Sequence, residues 1–268
     1  FFDSGLGYMM TTPYTISNKW TNLLAYTAQF GNGFSATLSL EDGSFRTTAI
    51  NAWGDPFDGT LGGDQIPDIV GNLRIDQAWG SAQLSGALHQ VRIAQDFWGL
   101  GYDSATDQWG WAIGGTLEFN LPMLAKGDAF FITASYADGA LNYAGLSGSS
   151  LSQTTVLGRV DSFGLTGAYY RLADAVWTGL DYQNATAWSI AGQFRHYWTP
   201  GLRSAIYGGY SSVDMPDGIV PMQYGFNDVD LWQVGFNTIW SPVKNLDIGA
   251  EILYSKIDGS VPEYLGCA

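Results

Sequence analysis

The sequence predicts an all-β protein, an antiparallel sheet whose strands cross a membrane as a β-barrel. Three observations carry this. Side chains alternate at period two over segment after segment, as in Leu24, Tyr26, Ala28 and Phe30 against Ala25, Thr27 and Gln29. Short turns alternate with long polar loops along almost the whole chain, a signature of barrels with short turns at one rim and long loops at the other. The composition has few charges: 13% of the 268 residues are charged and 15% aromatic, with 35 glycines, against roughly 25% charged in ordinary soluble domains. No stretch approaches the roughly 18 apolar residues of a membrane-spanning helix, so any crossing is by strands.

Taken in order, Phe1 to Lys19 mixes Gly, Ser, Thr and Pro with aromatics and reads as a loop. Asn22 to Glu41 is a hairpin turned by Gly31-Asn32-Gly33, because an Asn-Gly turn supplies the positive φ angles that a tight hairpin needs. A long loop over 42–64 leads to a strand over Pro67 to Asp76, a turn at Gln77 to Gly80 and a strand from Ala82 to His89. A loop is expected from about Arg92 to Gln108, then a strand from Trp109 to Phe119, a short connection over 120–128 and a strand from Phe130 to Tyr136. Asp138 to Gln183 lies between an outward-going and an inward-going strand, so it holds an even number of membrane strands or none. It is read as a long outer loop (139–185), with room for a hairpin of Phe163 to Tyr170 and Ala175 to Tyr182. Two more hairpins follow, Ala187–Trp198 with Arg203–Ser212 and Asp230–Trp240 with Leu246–Lys256, making about ten membrane strands. Trp20, Trp79, Trp109, Trp198 and Trp240 fall at or beside the inferred strand ends, where girdles of amphipathic rings belong.

Charge and chemistry narrow the function. A net charge of -14 with 11 basic residues argues against a nucleic-acid partner, since phosphate binding needs clustered Lys and Arg. Cys267 is the single cysteine, which leaves no internal disulfide and no multi-cysteine metal site. His89 and His196 stand far apart without metal-ligand spacing, no nucleophile elbow is present, and the paired glycines open no helices. No catalytic residue, metal or cofactor is therefore expected. Period two alone does not say whether the apolar face meets lipid or a core. A barrel enzyme of lipase type and a soluble carbohydrate-binding sandwich are the alternatives.

Four separated stretches, FGNGFSATLSLEDG, IPDIVGNLRIDQAWGSAQLSGALHQVR, AWSIAGQFRHYWTPGLRSAIYGGY and QVGFNTIWSPVKNLDIGAEILYSKI, together resemble the alphaproteobacterial porin family of rhizobial type. The resemblance implies a sixteen-stranded, homotrimeric outer-membrane channel, set in outer-membrane lipid and lipopolysaccharide, that passes ions and small hydrophilic solutes without enzymatic activity. It also implies that the chain is an internal piece of one barrel domain, with Phe1 to Lys19 the tail of an inward constriction loop. On the inward phase of the strands, Glu41, Asp68, Arg74, Asp76, Glu118, Arg195 and Glu251 are the expected pore-lining charges. Asp3 is the carboxylate that would oppose Arg74 and Arg195 across the pore, and the excess of acids would favour cations.

Overall fold

A computed structural model describes residues 21–48, 50–51, 62–95, 104–146, 172–178, 181–216 and 228–259 of the chain. The strands are β1 (Leu23–Gly31), β2 (Phe34–Glu41), β3 (Ile50–Asn51), β4 (Asp68–Gln77), β5 (Gly80–Gln95), β6 (Ser104–Asn120), β7 (Ala129–Asp138), β8 (Ala175–Trp177), β9 (Tyr182–Asn184), β10 (Thr186–Thr199), β11 (Leu202–Asp214), β12 (Val229–Val243) and β13 (Leu246–Gly259). Ten of them form one sheet in the order β1-β2-β4-β5-β6-β7-β10-β11-β12-β13, every neighbour antiparallel, and β3, β8 and β9 form a small second sheet.

Tight connections fall at one end of the large sheet. At the first, Asn32 (φ 49) and Gly33 (φ 77) both sit at positive φ, the pair that matches the right-handed twist of a hairpin. A Cβ on Gly33 would lie 1.9 Å from the Asp76 carbonyl, so the glycine also lets the next strand approach. The remaining short connections, 78–79, 121–128, 200–201 and 244–245, all lie at this same end.

The alternation sorts side chains into two faces with different environments. One face carries Leu38, Leu73, Leu84, Ile113, Ile190, Ile206, Val234, Phe236 and Ile252, large apolar groups that remain exposed on strand after strand. Soluble monomers rarely expose apolar patches beyond a few hundred Å², so this face is the lipid face of a barrel wall. No helix among the described residues is long and apolar enough to cross a membrane. Trp188 and Trp198 stand ten residues apart on β10. At about 3.3 Å per residue and a tilt of about 40° their rings are roughly 25 Å apart across the membrane, the height of the apolar band of such barrels.

Trp79, Trp198 and Trp240 lie at the short-turn rim, and Trp79 packs on Phe119 with centroids 5.7 Å apart. At the opposite rim the rings come in cross-strand pairs, Trp111 with Tyr136, Trp188 with Tyr210 and Trp232 with Tyr254, 5.1 to 5.4 Å apart. Trp20 lies outside the described residues. Trp109 is not at a strand end: it is the sixth residue of β6. The expected loop from Arg92 to Gln108 is correspondingly shorter, because β5 runs to Gln95 and β6 starts at Ser104. Two contacts extend this ribbon, the Arg92–Asp107 ion pair at 3.0 Å and the burial of Val91 and Ile93 against Ala175 and Tyr182. The second is long-range in sequence, which hides it from local reading.

The segment after β7 also differs from a loop that projects outward. It leaves the sheet at the end opposite the short turns, and its described parts, 139–146, 172–178 and 181–185, fold back over the polar-phase face. Leu141–Ala144 makes a 3₁₀ turn whose four residues are all buried, and β8 pairs with β9. The expected strand Phe163 to Tyr170 lies outside the described residues.

The two faces are separable by experiment. Arg at Leu73, on the lipid face, is expected to cost about 2–4 kcal/mol in urea unfolding from lipid vesicles, and Arg at the neighbouring Asn72 about 0–1 kcal/mol. Equal costs would reverse the assignment of the faces.

Candidate functional site

The inner face is layered, because each strand contributes one residue to each cross-strand row. One row runs Val70–Ala87–Ala112–Ala137–Ala187–Val213–Val229 across seven strands and is apolar throughout. The next row toward the short turns is hydroxylated, with Ser85, Ser135, Ser189 and Ser211. Beyond it come rows with Arg74, Gln83, Thr116 and Thr133, then Asp76, Ser81, Glu118 and Gln193. A face turned to water is polar, so the apolar row requires a cover.

The inward segment supplies it. Leu141, Tyr143, Ala144, Leu146, Leu172, Ala173 and Val176 are buried against this row. Fully burying a leucine is worth about 1.5–3 kcal/mol, so Leu141, Leu146 and Leu172 alone hold the segment firmly.

Polar groups fix where it sits. Asp68, the first residue of β4, receives the Tyr143 hydroxyl on Oδ2 at 2.6 Å and meets His89 Nδ1 with Oδ1 at 2.7 Å. His89 and Tyr143 have no exposed surface, and Asp68 is 1% exposed. Arg46 lies over the Tyr143 ring, 4.7 Å from its centroid, and reaches Glu41 at 3.5 Å, while Ser39 donates to the same carboxylate at 3.0 Å. Asp174 accepts from the backbone amides of Leu141, at 2.8 Å, and of Thr48, and Ser189 Oγ donates to the Ala144 carbonyl. Strands β2, β4, β5 and β10 are thus joined to two loops and the 3₁₀ turn. Burial pushes the Asp174 carboxyl up to about 6, against the pull of His89 and of the two amides; burial and then Asp68 push the Tyr143 hydroxyl up.

Thr47, His89 and Asp68 stand in the order of a nucleophilic relay, but the geometry does not support one. Thr47 Oγ1 is 3.4 Å from His89 Nε2 and donates instead to the Gly43 carbonyl at 3.1 Å. With that proton spent, Nε2 must donate to Thr47, and Asp68 and His89 share one further proton on the Nδ1 side. The imidazole therefore cannot take a proton from Thr47, and no solvent reaches it. No cluster of His, Cys, Asp or Glu able to hold a metal is present among the described residues.

Of the eight expected pore charges, Asp3 lies outside the described residues and the other seven all point to the inner face. Glu41 and Asp68 do not meet lumen water there; they are covered by the inward segment and 42–48, a correction to their expected role. Arg74 grips Asp76 through Nε and Nη2 at 2.9 and 2.7 Å and contacts Gln83. It is therefore neutralised on its own strand rather than held free to oppose Asp3. Arg195 donates to the Gly127 carbonyl at 3.2 Å and lies 5.7 Å from the Tyr197 ring. Glu118 accepts from Ser81 at 3.3 Å. Glu251 accepts from Tyr207 at 2.5 Å and Asn237 at 3.3 Å, and Tyr207 reaches it across Gly235, where a Cβ would fall 2.2 Å from the ring.

Sequence reasoning missed Arg46, Tyr143 and Asp174 and left His89 without partners; apart from the Arg46–Glu41 pair, five positions apart, the hydrogen bonds of this cluster span 21 to 126 positions. One local signal was available: apolar Val70, Ala87, Ala112 and Ala187 occupy the phase that should have been polar. His196, at the opposite rim, bonds Asp128 at 2.6 Å and meets Trp198 edge-on at 4.5 Å.

The sequence profile of a family described as "Porin subfamily" matches residues 1–264. No curated protein is significantly similar in sequence. Among solved structures, the outer membrane channel DcaP of Acinetobacter baumannii is similar in fold, with a TM-score of 0.61 at 17% identity. The match covers 95% of this chain and 63% of that channel, so the chain spans less than two thirds of its length.

Docking of the segment is expected to respond to pH. The docked state raises the Asp174 carboxyl from its ordinary 3.8 to about 6, so it favours the protonated form. Docking is then strongest below about 4 and weakens as pH rises through about 6, with His89, Asp68, Asp64, Glu41, Arg46 and Tyr143 completing the charge environment. After correction for intrinsic rates, the Leu141 amide should exchange hydrogen faster at pH 7 than at pH 4.5, by up to about 25-fold, and Asp174→Asn should reduce the difference. Equal protection at both pH values in the unaltered protein would contradict this.

Proposed function

Since the chain belongs to the porin subfamily, we propose that it is the wall of a water-filled outer-membrane channel for passive diffusion of ions and small hydrophilic solutes, working as a homotrimer. The observation that carries this is the division of one ten-stranded sheet into an apolar outward face and an inner face whose rows are serine, threonine, amide and charge toward the short turns. Lipid hydrocarbon and lipopolysaccharide cover the first, and water fills the space against the second. The exposed apolar face weighs against a soluble sugar-binding sandwich, and the Thr47 hydroxyl, which donates to the Gly43 carbonyl rather than to the fully buried His89, weighs against a barrel hydrolase. The four stretches that resemble rhizobial-type members support a place among the alphaproteobacterial porins.

Selectivity in such a channel comes from width and from the field of the wall, not from a binding reaction. The inner charges are partly cancelled in place, Arg74 by Asp76 and Arg203 by Asp247 at 2.8 Å. The chain as a whole carries 25 acidic residues against 11 basic, which supports a preference for cations.

Planar-bilayer recording on the full-length protein tests both parts. Stepwise increments of current, grouped in threes, and a reversal potential shifted toward cations are expected, with the shift reduced by Glu118→Gln. A folded barrel that carries no current would reject the channel; an anion-directed reversal potential would reject the selectivity.

A further inference from the structure

The short-turn rim carries one connection unlike the others. Residues 32–33, 78–79, 200–201 and 244–245 turn the chain in two residues each, whereas β6 and β7 are joined by the eight residues 121–128. The added length is ordered by its own bonds. Leu124 N–H donates to the Leu121 carbonyl at 3.0 Å and Asp128 N–H to the Ala125 carbonyl at 3.1 Å, two tight turns in succession, and Leu121 N–H closes them on the Asp128 carbonyl at 2.9 Å. Both ends are fastened to the aromatic girdle. The connection leaves β6 just after Phe119 and Asn120, and the Phe119 ring packs on Trp79. At the other end the Asp128 side chain, with no exposed surface, bonds His196 Nδ1 at 2.6 Å and accepts from Tyr197 N–H at 2.8 Å. His196 shares the outward phase of Ile190, Phe194 and Trp198 and meets the Trp198 ring edge-on. From the inner face Arg195 holds the Gly127 carbonyl.

A turn pinned in this way cannot withdraw its tip, yet Met123 and Leu124 there are 77% and 61% exposed. Beside them Lys126 is exposed and has no ion pair among the described residues, and the same holds for Lys244 on the 244–245 turn. Away from this rim the described cations Arg46, Arg92 and Lys256 each hold a carboxylate. In a chain of net charge -14, free lysines are thus kept for the rim where the girdle meets lipid headgroups. An adjacent apolar pair and a free ammonium match the two parts of a phospholipid, acyl chain and phosphate.

We propose that the 121–128 connection is a binding site for an anionic glycerophospholipid, with Met123 and Leu124 entering the acyl layer and Lys126 Nζ pairing with the phosphate. Continuity with Trp79, Phe119 and Trp198 selects lipid over a soluble partner. The inference goes beyond the channel reading and needs only the lipid face of the wall.

The test uses full-length protein with Met123→Cys and Cys267→Ser, labelled with bimane at position 123, in vesicles of equal parts phosphatidylcholine and phosphatidylglycerol. Nitroxide-bearing phosphatidylcholine should quench the bimane, and iodide on both sides of the membrane should leave it bright. Native mass spectrometry of protein extracted from such vesicles counts the phosphatidylglycerol that stays bound. Lys126→Gln should lower this retention about five-fold. Lys256→Gln, the same change of charge at the opposite rim, should leave it unaltered.

A bimane quenched by iodide and untouched by the nitroxide lipid would overturn the inference and give the apolar pair to a soluble partner. Equal phosphatidylglycerol retention in the unaltered and Lys126→Gln proteins would overturn it as well. Protein that fails to enter the vesicles would remove the lipid face and the channel reading together. A lipid-protected, phosphatidylglycerol-retaining site on a barrel without current would uphold this inference and reject the channel alone.

Discussion

Backbone hydrogen bonding in a solvent that offers none is the constraint on which the rest of this structure depends. In hydrocarbon each unsatisfied N–H or C=O costs several kcal/mol, so a chain without long apolar helices crosses only as hydrogen-bonded strands. The ten-stranded antiparallel ladder answers that constraint, with register pairing that runs unbroken through most of each hairpin. Once the backbone is committed to strands, side chains must alternate between two environments. Leu73 faces lipid because Asn72 and Arg74 face inward, and no smaller adjustment is available.

The same rule explains why the inner face needs more than one kind of side chain. Toward the short turns its serine, threonine and glutamine rows are stable against water. Toward the other rim the alanine row is not, and it is completed by a segment of the chain that returns from the loop after β7. The polar groups there are almost wholly shielded, so the charged ones and the tyrosine hydroxyl need partners. Asp68, His89, Tyr143, Arg46, Glu41 and Asp174 find them in one another or in nearby amides. A single missing member would leave a buried charge or hydroxyl without its bond, which costs more than the bond itself contributes. Tyr207 shows the same economy elsewhere: Gly235 leaves the space through which its hydroxyl reaches Glu251.

Much of the wall was legible in the sequence. Period two in Leu24 to Phe30 and in Phe34 to Leu40, the Asn32-Gly33 turn and the short connections at 78–79 and 200–201 are local features, and the strands formed where they indicated. The inward phase of Arg74, Asp76, Glu118, Arg195 and Glu251 follows from the same periodicity. The full length of β5 and β6 was not legible, because Val91 and Ile93 are buried by Ala175 and Tyr182 from a distant loop. Trp109 therefore lies inside β6 rather than at its end, two residues beyond the rim pair of Trp111 and Tyr136. Asp68 and Glu41 had the right direction and the wrong surroundings.

Alternation and turn chemistry thus determined by themselves that this chain builds an antiparallel wall with one apolar face, since each depends only on neighbours in sequence; that this face stays uncovered, as a lipid face does, was decided by the structure. What covers the inner face was decided by tertiary structure alone. Leu141, Tyr143 and Asp174 read locally as parts of a polar loop, and they become a buried seat and latch only because the strands bring Asp68, His89 and the alanine row together beneath them. Contacts between residues 33 to 126 positions apart, such as Leu141 with Asp174 and Thr48 with Asp174, carry no periodic signal, so no local pattern could have announced them.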